Sequence, residues 1–184
     1  YPGETSKDEL ISILENMEDI ESNRITFKGG RWKIYDDIVY FTLPKNIEVK
    51  IYILENKVVN ISFSREKLAR FSEALEIYGN PDYILNLSAH GEGFLFESAL
   101  HELIFAVQPA KGVMFGYDNH YVSIFQKENI NPRIWLRWID YFDPARYEGM
   151  VNAGFFTYST SFEDVEESIR PWNGYGSLEE LFYP

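Results

Sequence analysis

The feature that most constrains this chain is an internal repeat: Ser64 to Phe125 reads as a second copy of Ser6 to Phe63. Ser6-Lys7-Asp8-Glu9-Leu10 aligns with Ser64-Arg65-Glu66-Lys67-Leu68, and at the same offset Leu10, Ile13, Met17 and Ile20 fall on Leu68, Phe71, Leu75 and Tyr78. Downstream, Ile38 to Pro44 answers Leu103 to Pro109, and Glu55 to Ile61 answers Asp118 to Ile124. The offset drifts between blocks, as it does when loops change length and elements do not. A repeat of this kind constrains architecture before any motif does.

Each copy opens as a helix and continues as strands. Ser6 is placed to cap a helix with Glu9 at the capping-box position, over the stripe Leu10, Ile13, Leu14 and Met17. Asp8 and Glu9 sit in the first turn, where the helix dipole favours acids. From Trp32 and Ile34 through Ile38, Tyr40 and Thr42 the period becomes that of a strand, with Asp36-Asp37 read as a hairpin turn. Val49, Ile51 and Ile53 share one face of the next strand, and Glu55-Asn56-Lys57 turns the chain into Val58 to Phe63. In the second copy a helix opened at Ser64 or Arg65 carries Leu68, Phe71, Leu75 and Tyr78. Gly79 ends it as a left-handed cap, before Asn80-Pro81. Strands are then expected from Tyr83 to Leu87, at Phe94-Phe96, from Leu103 to Val107, from Val113 to Tyr117 and from Tyr121 to Phe125, with His90 to Gly93 as a loop.

After Gln126 the repeat ends. Arg133 to Phe142 reads as a long strand with apolar residues on both faces, and Asp143-Pro144 opens a short helix through Met150. Ser161 with Asp164, and Ser177 with Glu180, open two more helical segments. The expected fold is therefore α+β: two tandem helix-plus-antiparallel-sheet repeats, 1–63 and 64–125, with a C-terminal α/β extension, 126–184, packed on them.

The repeat unit, carried by Tyr78-Gly79-Asn80-Pro81-Asp82-Tyr83-Ile84 and Glu55-Asn56-Lys57-Val58-Val59-Asn60-Ile61, resembles the small repeat of bacterial envelope proteins of the SmpA/OmlA type. The tandem form of that repeat is seen in beta-lactamase inhibitory protein. The resemblance spans roughly residues 6–125. It implies an exported, often lipid-anchored, non-enzymatic protein that grips a protein partner with an aromatic-rich sheet face. The chain opens on Tyr1 rather than Met, which fits a trimmed chain or a processed export product; a signal peptide or lipid-bearing cysteine, if one existed, is not part of this sequence.

Composition removes several function classes. A net charge of −12 opposes nucleic acid and anionic membrane surfaces, whereas a basic protein partner suits it. With no cysteine there is no disulfide, thiol nucleophile or thiolate metal site. No apolar run is long enough to span a bilayer. His90, His101 and His120 have no metal-ligand spacing, no Gly-x-Ser-x-Gly elbow is present, and Gly91-Glu92-Gly93 is no phosphate loop. No cofactor is expected. Among 29 acids some pair will always match the spacing of a glycosidase, so a hydrolase stays as a third reading only. Glu163, Asp164, Glu166 and Glu167 read as a solvated helix start, and the sequons at Asn60 and Asn86 fall within strands.

Aromatics supply the positive signal. Trp172, Tyr175, Trp135, Trp138, Tyr117 and Tyr121 are the candidate binding residues, with Trp172 to Gly176 as an exposed loop that its two glycines keep unpacked. The leading expectation is a secreted or envelope protein, without catalytic residues, that binds a protein partner. The alternative is a carbohydrate or small-ligand module using the same rings.

Overall fold

Val, Ile, Phe and Tyr at alternate positions drive much of the chain into strands, because branched and aromatic side chains fill a pleated surface. A computed structural model describes residues 1–17, 26–29, 35–89, 101–119, 129–148 and 169–177. Among the described residues nine strands form one antiparallel sheet: β1 (Thr26–Gly29), β2 (Asp37–Leu43), β3 (Ile47–Leu54), β4 (Lys57–Arg70), β5 (Tyr83–Ala89), β6 (His101–Gln108), β7 (Val113–Asn119), β9 (Trp135–Phe142) and β10 (Ile169–Pro171). Their spatial order is β1-β2-β3-β4-β9-β7-β6-β5-β10. Two short strands, β8 (Asn129–Ile130) and β11 (Gly176–Ser177), pair separately. The described α-helices are α1 (Lys7–Glu15) and α2 (Phe71–Tyr78).

This overturns the expected α+β fold of two helix-plus-sheet repeats carrying an α/β extension. The described chain is mainly β, and nine of its strands form one continuous sheet. The reason is β9. This strand from the supposed extension inserts between β4 and β7, with Asp140 opposite Ser62 on one side and Met114 on the other. Trp135 to Phe142 is apolar on both faces, the pattern of a strand flanked on both edges and covered above and below.

Several local readings change as well. Ser64 to Leu68, expected to open a helix, continue β4, because β4 stays paired with β9 through a register shift between Ser64 and Ala69. The helix starts at Phe71 instead, where the Glu73 carboxylate accepts the Arg70 backbone N–H at 2.6 Å. Asp37 is no turn residue: it begins β2, pairs with Gly29 and Ile53, and takes an ion pair from Lys7 at 2.6 Å. Asp143 caps only a 3-10 turn, Pro144–Arg146, in the described stretch, accepting from the Ala145 N–H at 3.0 Å. Ser177 lies in β11. The expected elements at Trp32-Ile34, His90 to Phe96, Tyr121 to Phe125, Met150, Ser161-Asp164 and Glu180 lie outside the described residues.

Both helices cover one sheet face. Leu10 and Leu14 of α1 lie on Val39, Phe41, Val49, Ile51, Ile53 and Val58, so the expected Val49-Ile51-Ile53 stripe is a core stripe. Phe71 and Ala74 of α2 lie on Ile84, Ile104, Ala106 and Phe115. The opposite face is apolar over β5, β6, β7 and β9, where Leu85, Phe105, Val107, Met114 and Phe142 cluster. Gly116 sits opposite both Phe105 and Trp138 there; a Cβ would stand 2.6 Å from the Phe105 ring, so only glycine lets the two rings close over this position. Among the described residues no helix is long and apolar enough to cross a membrane.

Candidate functional site

Two places concentrate chemistry. The first is built at the junction of β4 and α2. Phe71, the first residue of the helix, is buried, and Trp172 stacks on it with ring centroids 5.7 Å apart. Tyr175 stands edge-on to Trp172 at 5.7 Å and to Phe71 at 6.0 Å, with 44% of its surface exposed. One residue earlier, the Arg70 guanidinium carbon lies 3.6 Å above the Trp135 ring, which is 37% exposed. Arg70 also donates to the Arg133 carbonyl. Consecutive residues thus tie the Trp172–Tyr175 pair to the Arg70–Trp135 pair.

The sequence expects Trp172 to Gly176 to be an unpacked loop, and the structure differs. Pro171 pairs with Tyr83, the Trp172 N–H donates to the Asp82 carbonyl at 3.2 Å, and Gly176 pairs with Ile130. Gly174, at φ +97°, turns the chain so that both rings face Phe71. Trp172 is consequently half-buried, a support for Tyr175 rather than a free ring. Of the other expected residues, Trp135 joins this surface. Tyr117 does not: it is 3% exposed, inside the core beneath α2. Trp138 lies on the far face of the sheet, partly buried against Phe105 at 6.0 Å. Tyr121 lies outside the described residues.

The second place was not foreseen. On the face opposite the helices, strand register lines up Tyr40, Lys50, Ser62, Asp140 and Met114 in one row across β2, β3, β4, β9 and β7. Ile38, Tyr52, Asn60 and Phe142 make the next row. Asp140 is 5% exposed, and burial pushes its carboxyl up to about 7, against the opposing pull of the Ser62 hydroxyl and the Lys50 charge. Asn60 is 0% exposed, and among the described residues neither atom of its side-chain amide has a hydrogen-bond partner. The Tyr35 ring stands 4.7 Å from that of Tyr52, and burial first, then Tyr52 and the Asp140 charge, pushes the Tyr35 hydroxyl upward. A signal for this cluster existed: Asn60 interrupts the apolar run Val58 to Ile61, and Asp140 is the one acid in Trp135 to Phe142. Buried polar groups of this kind mark sites more often than exposed ones do.

Among the described residues no group of three or more His, Cys, Asp or Glu stands together as a metal site. His101 opens β6, while His90 and His120 lie outside the described residues. Comparison with protein-family models, with curated proteins and with solved structures gave no match.

Proposed function

We propose that this is a non-enzymatic binding protein that holds a protein partner through the surface formed by Trp135, Arg70, Trp172 and Tyr175. The observation that carries the reading is that Trp135 and Tyr175 are exposed yet already ordered, one under a guanidinium and the other against two rings. Aromatic and arginine side chains dominate binding energy at interfaces, and rings fixed in advance lose little rotamer freedom on association. The net charge of −12 favours a partner with basic side chains and accelerates encounter at low salt. A secreted or envelope location, with any lipid anchor outside this sequence, belongs to the same proposal and rests on the resemblance of the repeat motifs.

The test compares proteins captured by the parent and by the double variant Trp135→Ala, Tyr175→Ala from envelope and soluble fractions of the source cells. A partner at this surface is lost by the double variant, and each single change weakens it by about 2 kcal/mol or more. Partners retained equally by parent and variant, or capture confined to the cytosolic fraction, refute the surface and the location respectively.

A further inference from the structure

We propose that the apolar cavity beneath α1 is a binding site for the hydrocarbon chain of a medium-chain carboxylate. The site is independent of the protein-binding surface: it is walled by α1 and by strands β2, β3 and β4, and involves neither Trp172 nor Tyr175.

Volume and lining select the buried part of the ligand. The cavity measures about 230 Å³, with Leu14, Phe41, Val49 and Ile51 as its buried floor. Among the lining side chains only those of Thr5 and Tyr1 carry an oxygen. A water inside would therefore lack the about two to four polar partners that hold buried water in place. An apolar cavity of about 150 Å³ already stays dry and admits a benzene ring; this one is larger, with room for a chain of roughly six to eight carbons. Empty, it leaves its lining atoms without contacts, and a bound chain restores them.

The cavity is also accessible. Ile13 and Met17, which line it from α1, are 48% and 38% exposed, so they stand at its mouth. A ligand held there has one end buried among apolar side chains and the other in water. That is the arrangement of an amphiphile, with its polar head outside.

Charge selects the head. The Lys7 N–H donates to the Asn56 carbonyl at 3.1 Å, so α1 starts beside the hairpin joining β3 to β4. Met17, past its other end, lines the cavity with Leu43 and Phe63. Two residues beyond these stand Lys45 and Arg65, both exposed, and neither forms an ion pair among the described residues. The nearby acid Glu48 alternates to the opposite face of β3, where it accepts from the Ser64 hydroxyl at 3.5 Å. Lys45 and Arg65 therefore favour a carboxylate at this end of the cavity. The −12 of the whole chain gives an anion no long-range attraction, so the hydrocarbon and these two cations carry the binding.

The experiment titrates the whole chain with hexanoate, octanoate, decanoate, tetradecanoate and octanol, each below its micellar concentration, by NMR and calorimetry. Octanoate should bind saturably and raise the melting temperature. Affinity should rise about fourfold per methylene up to about eight carbons and then level off, because further carbons remain in water. Ile13→Trp, a change at the exposed mouth, should weaken octanoate by about tenfold or more. The double variant Lys45→Gln, Arg65→Gln should bring octanoate down to the affinity of octanol. Tyr175→Ala should bind octanoate as the parent does, even where it abolishes capture of a protein partner. No saturable octanoate binding overturns the proposal, as does parental affinity in Ile13→Trp. Octanol bound as tightly as octanoate overturns it too, since the cations would then have no role. A gain continuing unbroken to tetradecanoate marks adsorption on an open surface and overturns the cavity. If Ile13→Trp does not fold, Met17→Trp decides in its place, unchanged affinity counting against the site.

Discussion

The two helices lie on the same sheet face and are of nearly equal length, yet they are held in different ways. Beneath α1, Leu10 and Leu14 are buried while Ile13 and Met17 on the same stripe remain exposed. The apolar cavity of about 230 Å³ remains beside that packing, lined by Ile13 and Met17 as well as by Phe41, Val49, Ile51 and Phe63. Beneath α2, Phe71 meets Phe115 edge-on at 5.4 Å and Trp172 face-on, and Tyr78 stacks on Phe115 at 6.1 Å. Aromatic rings fill the space that leucine, isoleucine and methionine leave open on the other flank. The difference teaches that an amphipathic stripe predicts which side of a helix faces the sheet, not how completely it is packed there. It also gives a reason for the proposed partner surface to lie beside the start of α2, where Trp172 and Tyr175 rest on the buried Phe71.

The sharpest way to break this contrast is to empty both sides. Phe71→Ala removes the ring shared by Phe115, Trp172 and Tyr175 and should cost up to about 5 kcal/mol, whereas Leu14→Ala, next to space that already exists, should fall near 2 kcal/mol. Urea unfolding midpoints at constant m-value measure both. Equal losses would mean that the two helices are equally well packed and that the cavity is inconsequential.

A second contrast lies on the other face, apolar around Phe105 and Met114 but interrupted by Asp140. In the native state the Asp140 carboxyl is raised from 3.8 to about 7, so between those values the folded protein holds a proton that the unfolded chain has released. Stability from this group is therefore fully present below about 4 and is lost as pH rises through about 7. The shift bounds the loss at roughly 4 kcal/mol. Asp140→Asn, which cannot ionise, should flatten that decline, and its gain over the parent should grow between pH 4 and pH 7. Parallel stability curves for the two proteins would show that Asp140 is ionised in the native state throughout.

These contrasts also show how far the sequence could be read. The β3 stripe and the Glu55-Asn56 turn were legible because both are local: period two names a face, and two residues at φ +51° and +61° make the hairpin loop that Asn favours. The insertion of β9 was not legible, since alternation says nothing about which strand lies alongside. The internal repeat pointed the wrong way for the same reason: similar hairpins recur, but what joins them comes from outside the repeat. Trp172 and Tyr175 were picked out by residue type. Their support by Phe71 depends on Gly174 reversing the loop, and glycines beside an aromatic look the same in sequence whether they loosen a loop or fold it inward. Asn60 and Asp140 became a cluster only through the pairing of β4 with β9.

A smaller effect tests how α2 ends. Gly79 has φ +83° and ψ −174°, a region almost closed to other residues, while the nearest atom to an added Cβ is the Lys111 ammonium nitrogen at 3.4 Å. Gly79→Ala therefore adds backbone strain without a clash and should cost about 1 kcal/mol in thermal or urea unfolding. No change would mean that the turn relaxes freely, and that the filled core beneath α2 does not hold its C-terminal end.

The smallest effect on stability should carry the largest consequence for binding. Arg70 stacks on Trp135 at the surface, and such contacts contribute about 0.5–1 kcal/mol when exposed. Lysine in its place keeps the positive charge but loses the flat guanidinium that covers the ring and the fork that reaches the Arg133 carbonyl. If the arginine serves to hold Trp135 ready for a partner, Arg70→Lys should shift the melting temperature little and yet weaken partner binding as much as Trp135→Ala does. The loss should appear in the association step if ring order is what matters, because a mobile ring is competent only part of the time. Should Arg70→Lys bind as the parent does, charge alone explains Arg70, and Trp135 needs no help in staying where it is. The α2 flank would then owe its binding surface to the Trp172–Tyr175 pair alone.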